Sequence, residues 1–161
     1  MRIRTNNWKI SEITYENYLS ICDKIPIIND AEYYPVQHFI AEEIETGIKL
    51  LFNQTDVGLH QIPFLTLPDE HYSLFGLTDN CYVIDCVNGS IIGKKTLLTI
   101  CTDIICISNH IYIICEAEII EFFPKNREWK LRNLSDSIEL MEYSSNLCII
   151  TLHNGSQIVL E

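Results

Sequence analysis

The turn signals that interrupt the chain after residue 48 constrain its fold more than any other feature of the sequence. From Ile48 onwards, short runs rich in isoleucine and valine alternate with glycine, asparagine and serine. Residues branched at Cβ favour strands over helices. Asn88-Gly89 and Asn154-Gly155 are two-residue signals for type I′ hairpins, in which both central residues adopt positive φ. Hairpins join antiparallel strands, so this part of the chain is predicted to form antiparallel β structure.

The predicted strands follow these apolar runs. The first covers 48–53, and an irregular connection containing Pro63 and Pro68 comes after it. Further strands are predicted at 81–87, 90–93, 96–101, 103–108, 111–122, 128–132, 137–143, 146–152 and 156–160. The segment 110–122 also fits a helix behind an Asn109 cap, and its branched residues favour the strand. The two Asn-Gly-Ser turns align with each other, which either a true repeat or hairpin chemistry alone explains.

The first 47 residues show a different pattern. Ser11 is suited to cap a helix, and apolar residues then recur at helical spacing as far as Pro26, which predicts a helix over about 12–24. Pro35 suits the first turn of a second helix, which would end at Gly47. The chain is therefore predicted to be one α+β domain over 1–161. N-terminal helices in 1–47 precede a mostly antiparallel β-sheet or β-sandwich in 48–161.

The charge of the chain is concentrated in one stretch. Residues 10–93 contain thirteen acidic residues against only Lys24 and Lys49, and so carry the whole formal net charge of −11. Residues 94–161 are nearly balanced. Such a field disfavours nucleic acid and anionic lipid as partners and favours a basic protein or a cation. No binding to nucleic acid or membrane is predicted.

The location of the protein is predicted from its cysteines and its apolar runs. The seven cysteines form an odd count without CxxC spacing, which is typical of free thiols in a reducing compartment. Residues 1–17 are polar and do not resemble a signal peptide. The most apolar stretch, 96–123, is interrupted by charges and is too short to cross a bilayer. We therefore expect a cytoplasmic protein.

No residue grouping typical of catalysis or metal binding is recognisable. The six glycines form neither GxGxxG nor a P-loop, and the five histidines are scattered without HExxH spacing. The best cluster of titratable groups, Asp69-Glu70 beside His71, follows Pro68 and is typical of a solvated turn. We predict no catalytic residue, no metal site and no cofactor.

One stretch resembles a known family. The segment Leu74-Phe75-Gly76-Leu77-Thr78-Asp79-Asn80-Cys81-Tyr82-Val83-Ile84-Asp85, with Gly89, resembles the strand-turn-strand centre of the SUKH group of bacterial immunity proteins. In that group a tyrosine- or leucine-rich strand ending in aspartate precedes a glycine turn and another strand. The resemblance covers residues 74–89 and implies an immunity protein of a polymorphic-toxin or contact-dependent-inhibition system.

The main hypothesis is accordingly an immunity protein that blocks the active site of a cognate, basic, nuclease-type toxin. An acidic surface accelerates encounter with a cationic site, and aromatic residues often anchor interfaces. The predicted toxin-binding residues are Glu42, Glu43, Asp69, Glu70, Tyr72, Asp79 and Asp85, with Tyr33, Tyr34 and Phe75 as further anchors. The alternative is a non-catalytic β-rich interaction or scaffold module that recognises a peptide at a sheet edge. The oligomeric state stays open.

Overall fold

The computed structural model describes residues 7–31, 34–144 and 146–161. Strands make up 58% of these residues, so the protein is almost entirely β structure. Fifteen described strands form four small sheets, which we number in chain order. The predicted α+β class with N-terminal helices is therefore wrong.

The first sheet contains the first four strands. The one α-helix of the described residues connects two of them. The strands lie in the order β1-β3-β4-β2, with β2 parallel to β4 and the other pairs antiparallel. Their bounds are β1 Trp8–Ile13, β2 Ile27–Asp30, β3 Val36–Glu43 and β4 Lys49–Thr55. Helix α1, Tyr15–Ile21, joins β1 to β2, and the Thr14 hydroxyl caps it by accepting from the Asn17 N–H. No helix of the described ranges is long and apolar enough to span a membrane.

The second and third sheets are four-stranded antiparallel meanders, and the fourth sheet has three strands. The second sheet contains β5 Phe64–Leu67, β6 Tyr72–Gly76, β7 Asn80–Asp85 and β8 Ile91–Thr96, with a 3-10 turn at Pro68–Glu70. The third contains β9 Cys101–Ile107, β10 His110–Cys115, β11 Glu118–Phe123 and β12 Glu128–Asn133. The fourth contains β13 Ile138–Ser144, β14 Leu147–Leu152 and β15 Gln157–Leu160.

The four sheets pack face to face in chain order, with an apolar layer between each sheet and the next. Phe39 and Phe52 of the first sheet meet Phe75 of the second. Leu74, next to Phe75 on β6, points the other way and packs against the third sheet. Because side chains alternate across a strand, a sheet with neighbours on both sides is buried at every position, as β6 is. Ile150 and Ile158 of the fourth sheet pack on the other face of the third.

The helix predicted from Pro35 to Gly47 is strand β3. The inward face of this strand carries Gln37, Phe39, Ala41 and Glu43, all buried. Two of these four residues are polar, so the alternation of a half-buried strand is hidden from a hydropathy pattern. The apolar residues that remain visible happen to recur at helical spacing. The other predicted helix, 12–24, shrinks to α1, because β1 and β2 occupy the sequence on either side of it.

Several strand predictions are confirmed and others need correction. Strands β4, β7, β9 and β12 to β15 lie close to their predicted positions. The predicted irregular connection holds β5 and β6, because its two prolines stand just outside the ends of β5 and do not interrupt it. The single strand predicted at 111–122 is the hairpin β10–β11. The strand predicted at 96–101 is wrong: Thr96 ends β8, Cys101 begins β9, and residues 97–100 form the turn between them.

The turn types also differ from the prediction. In each of the two Asn-Gly pairs only the glycine has positive φ, 74° at Gly89 and 79° at Gly155. At Gly155 the N–H donates to the Leu152 carbonyl and the Leu152 N–H to that of Ser156, which makes a three-residue loop. The described turn with two central residues at positive φ is Ser108-Asn109, at 48° and 70°, between β9 and β10. Asparagine and serine thus occupy the place expected for Asn-Gly.

Candidate functional site

The acidic residues predicted to bind a partner lie on different surfaces. The Glu42 carboxylate is on the outer face of the first sheet and pairs with Lys49, with 3.6 Å between Oε2 and Nζ. Asp69 and Glu70 are exposed in the 3-10 turn before β6. They line an open cavity of about 700 Å³ together with Lys125 and neighbours from the β11–β12 turn. The structure thus separates Glu42 from the Asp69-Glu70 pair, and their role in binding stays a prediction.

Two other predicted residues serve the fold. Glu43 is buried, and its Oε2 accepts hydrogen bonds from the Thr46 N–H and hydroxyl at 2.5 and 2.7 Å, which fixes the β3–β4 turn. Tyr72 is buried between the second and third sheets, where its hydroxyl donates to the Pro124 carbonyl at 2.8 Å. Burial raises the pKa of the Tyr72 phenol, with the nearby Glu70 carboxylate adding to the effect. Phe75, an expected anchor, is fully buried.

The last two predicted residues belong to turns of the second sheet. Asp85 accepts from the Val87 N–H at 2.6 Å and from the Asn88 amide at 3.3 Å, so it orders the turn before β8. The Asp79 N–H donates to Oδ2 of Asp30 at 2.8 Å. Asp79 and Asp85 are both half-buried.

Asp30 is the centre of a buried polar network that the sequence did not reveal. It ends β2, is 4% exposed, and its Oδ1 accepts from the Asn80 amide at 2.5 Å and from the Tyr82 hydroxyl at 2.9 Å. Burial, followed by the Asp30 charge, raises the pKa of Tyr82. We call these contacts the Asp30 network. It ties the edge of the first sheet to the second sheet.

The described residues offer little support for a catalytic centre. They contain no group of three or more His, Cys, Asp and Glu side chains that could hold a metal ion. The seven cysteines are free, and Cys81, Cys101, Cys115 and Cys148 are buried. Burial raises the pKa of the Cys81 thiol, which leaves it protonated and a poor nucleophile.

A concave aromatic site lies on the outer face of the first sheet, beside helix α1. Tyr15 and Tyr18 come from the helix, His38 and Asn53 from β3 and β4, Asn29 from β2, and Tyr34 from the segment before β3. We call this site the tyrosine groove; its volume is about 620 Å³. The register explains why these residues meet, because His38 is opposite Asn53 and Asn53 is opposite Asn29 across adjacent strands.

Hydrogen bonds and ring stacking hold the floor of the tyrosine groove in place. His38 Nδ1 and Asn53 Oδ1 are 2.8 Å apart, and the Asn53 amide donates to the Tyr18 hydroxyl at 3.1 Å. The Tyr18 ring stacks on His38 with 4.3 Å between centroids. Tyr15 adds a third ring, 5.6 Å from His38. The rings are therefore pre-ordered.

The rim of the tyrosine groove is open to solvent. Tyr34 is 92% exposed and Tyr15 is 61% exposed. Pre-ordered concave sites lined by aromatic side chains with a few polar groups are typical of ligand sites. Of the anchors expected from the sequence, Tyr34 is in this site, and Tyr33 lies outside the described residues. Tyr15 and Tyr18 were predicted as the apolar face of a helix, and His38 showed no pattern that marked it.

No model of a known protein family matches the chain, and no curated protein matches its sequence. Solved structures do match. Sqt1 from Saccharomyces cerevisiae is 13% identical, with a TM-score of 0.53 over 77% of this chain and 39% of its own. BamB from Moraxella catarrhalis is 11% identical, with a TM-score of 0.49 over 79% and 40%. The β-propeller domain of Cps50 (Swd1) from Myceliophteria thermophila is 13% identical, with a TM-score of 0.46 over 81% and 55%.

These comparisons define a fold and not an activity. This chain spans about two-fifths of the length of Sqt1 and of BamB. Its four packed sheets resemble β-propeller-like folds, in which four-stranded sheets stand side by side around an axis. Such folds host many functions, so function has to be argued from the site.

The structural neighbours contradict one interpretation made from the sequence. They are β-propeller-like proteins, so the assignment to immunity proteins and toxin inhibitors is wrong. The alternative of a non-catalytic β-rich interaction module agrees better with this fold. The SUKH-like stretch itself, 74–89, forms most of β6, all of β7 and most of the turn before β8, and the comparisons do not test the resemblance.

Proposed function

We propose that this protein is a non-catalytic interaction module that binds a cationic peptide segment of a partner protein in the tyrosine groove. The observation that carries the proposal is the pre-ordered stack of Tyr15, Tyr18 and His38, left open to solvent beside an exposed Tyr34. The stack offers flat apolar ring faces, and amides beside it supply hydrogen-bonding groups.

The rings suit a cationic side chain. The face of an aromatic ring attracts an ammonium or guanidinium group, and the attraction is about 0.5–2 kcal/mol depending on desolvation. Tyrosine also gives large contact area with few rotatable bonds, so little conformational entropy is lost when a partner binds. Since hydrogen bonds already hold Tyr18, His38 and Asn53 together, the binding of a peptide does not have to organise them.

The charge around the tyrosine groove points to the same kind of partner. All of its lining residues fall within the stretch 10–93, which carries a formal charge of −11. Two acidic residues are close to residues of the groove. Glu16 follows Tyr15 in the first turn of α1. The Asp56 N–H donates to the carbonyl of Pro35, the residue after Tyr34, at 2.8 Å. An acidic field attracts a basic segment and repels an acidic one.

A peptide added to a sheet edge remains the second candidate within the same class. Strand β2 is an edge strand of the first sheet, and its Asn29 lines the tyrosine groove. Edge addition would be carried by main-chain hydrogen bonds and would tolerate loss of the tyrosine side chains. The two modes therefore differ in their response to substitution of Tyr34.

The test is selection of a random nine-residue peptide library on the immobilised full chain, followed by fluorescence anisotropy with a selected peptide. We expect enrichment of arginine and lysine, weaker binding at high salt, and at least about a tenfold loss of affinity for Tyr34→Ala. Leu98→Ala is the matched control, because Leu98 is 70% exposed and lies outside the groove. Selection of acidic peptides, or unchanged affinity in Tyr34→Ala, would overturn the proposal.

A further inference from the structure

Strand β15 has one side that pairs with no described strand. The fourth sheet has three described strands in the order β13-β14-β15, whereas each of the other sheets has four. One side of β15 therefore pairs with β14, and we call its other side the β15 edge. An unpaired strand edge presents main-chain N–H and C=O groups that can bond to a further strand.

The register of β14 and β15 shows which groups point to the β15 edge. In an antiparallel ladder, hydrogen-bonded pairs alternate with pairs that lack hydrogen bonds. The Leu152 N–H donates to the Ser156 carbonyl at 2.9 Å, so the next hydrogen-bonded pair is Ile150 and Ile158. Val159 comes after that pair. Its N–H and C=O groups therefore point away from β14, to the β15 edge.

The third sheet shows what a fourth strand contributes. Its edge strand β12 pairs with β11, and the Trp129 ring packs on Phe122 in the apolar layer against the second sheet. Beside β15 there is instead a cavity of about 180 Å³. Val159 and Leu160 line one side of it, and residues of β10, β11 and β12 line the other. A strand added at the β15 edge would cover the third sheet here, as β12 covers the second.

Two cations line this cavity. Across β11 and β12, Lys130 is opposite Glu121 and Arg132 is opposite Ile119, and directly opposite side chains share a face of the sheet. Ile119 packs against the fourth sheet, so both cations are on that side. The Glu121 carboxylate is engaged by His110, with 2.7 Å between Oε1 and Nδ1. No ion pair within the described residues uses Lys130 or Arg132.

We propose that the β15 edge pairs with an acidic edge strand of a folded partner protein. Addition of a strand to a sheet edge is a recurrent mode of recognition, carried by main-chain hydrogen bonds. Glutamate side chains of the added strand would reach Lys130 and Arg132, and a guanidinium group can bind a carboxylate through two hydrogen bonds. Tyr112 and Ile119 offer apolar contact to the methylene groups of such a side chain. Glu161 also lines the cavity, but it is exposed beyond the end of β15.

The partner strand should already be held in a sheet. Fixing the backbone of a flexible peptide costs roughly 1–2 kcal/mol per residue, and β15 has only four residues with which to pair. A strand within a folded sheet has lost that freedom before it binds. A flexible acidic nonapeptide should therefore not be retained at the β15 edge, so this contact is separate from the selection of basic peptides by the tyrosine groove.

The experiment is fluorescence anisotropy of the full chain with a disulfide-closed β-hairpin peptide of about fourteen residues, turned at Asn-Gly. One strand of the hairpin alternates threonine with glutamate. We expect saturable binding that is at least about tenfold weaker in Lys130→Glu and in Arg132→Glu. Lys24→Glu makes the same charge reversal at an exposed position elsewhere and should bind normally. A hairpin with lysine in place of glutamate, and the acidic strand as a linear peptide, should each bind at least about tenfold more weakly.

Two further variants test the main-chain hydrogen bonds. Val159→Pro removes an N–H that β14 does not use, and proline is tolerated in edge strands, so we expect a folded protein with at least about tenfold weaker binding. Val159→Thr keeps the N–H and should bind as the wild type does. Thermal unfolding checks that each variant is folded. A hairpin N-methylated on the side that faces β15 makes the same test with the protein unchanged, and it should bind weakly.

Four outcomes would overturn the inference. The first is no binding of the acidic hairpin up to about 1 mM. The second is equal affinity for the acidic and lysine hairpins, and the third is undiminished binding of the N-methylated hairpin. The fourth is self-association of the wild type that Val159→Pro abolishes, which would assign the edge to a second copy. Tyr34→Ala should bind the acidic hairpin normally, so failure here leaves peptide binding in the tyrosine groove to its own test.

Discussion

Loss of the Asp30 carboxylate should destabilise the protein more than loss of any exposed acidic group. Its two oxygens accept from the Asn80 amide, the Tyr82 hydroxyl and the Asp79 N–H. Asp30→Ala leaves three donors without a partner in a site that is 4% exposed at Asp30. Each buried unsatisfied group costs about 1–3 kcal/mol, and partial access of water to the half-buried Asp79 reduces the sum. We expect a loss of about 3–5 kcal/mol in the free energy of unfolding.

The substitution Asp30→Asn separates geometry from charge. It keeps one acceptor oxygen but turns an amide NH₂ group towards a donor, so we expect a loss of about 2–3 kcal/mol. For a chain of this size 1 kcal/mol corresponds to roughly 2–4 °C in Tm. Urea and thermal unfolding measure both values, and Asp23→Asn supplies the same chemical change at an exposed position.

An Asp30→Asn variant whose stability is within about 0.5 kcal/mol of the wild type, as surface substitutions usually are, would refute this reasoning. The same variants connect stability to function, because β2 carries Asn29 into the tyrosine groove. If Asp30 holds β2 in place, its loss should also weaken binding of a selected peptide.

Three further predictions concern packing, thiols and alkaline pH. Gly76→Ala should cost about 1–3 kcal/mol in urea unfolding, because the added methyl group would overlap the Cys101 side chain where β9 approaches β6. In labelling with a maleimide, the four buried cysteines should react only after unfolding, whereas Cys22 should react in the native protein; rapid native labelling of all seven would contradict the packing. Burial raises the pKa of Tyr72 and Tyr82 above the ordinary 10.0, so the unfolded chain loses these protons first. The contribution of these two phenols to stability should therefore be constant below about pH 10 and be lost above it, and a urea midpoint that rises from pH 9 to 11 would contradict this.

The β-rich part of the fold was predictable because its signals are local. Branched runs and turn residues marked most strands after residue 80, and antiparallel pairing followed from short connections. The first sheet was not predictable in this way. Burial of Gln37 and Glu43 depends on partners elsewhere, the Gln54 amide for the first and Thr46 and Asn7 for the second. The contacts with Gln54 and Asn7 exist only after the strands have paired.

The candidate site was hidden for a related reason. The tyrosine groove combines residues from 15 to 53 through strand register and the position of α1, and none of them forms a sequence motif. Tyr34 was recognisable as a possible anchor from its residue type alone. The acidic stretch indicated the chemistry of the partner, whereas the position of each carboxylate depended on the packing of the sheets.

The most direct test of the tyrosine groove is chemical-shift mapping of the ¹⁵N-labelled full chain with an arginine-containing nonapeptide from the library selection. The account predicts that perturbed amides cluster at α1, at residues 29–31 and 34–38, and around Asn53. A matched peptide with glutamate in place of arginine should leave these signals unchanged. Perturbations centred on the third and fourth sheets, or equal responses to both peptides, would contradict the account.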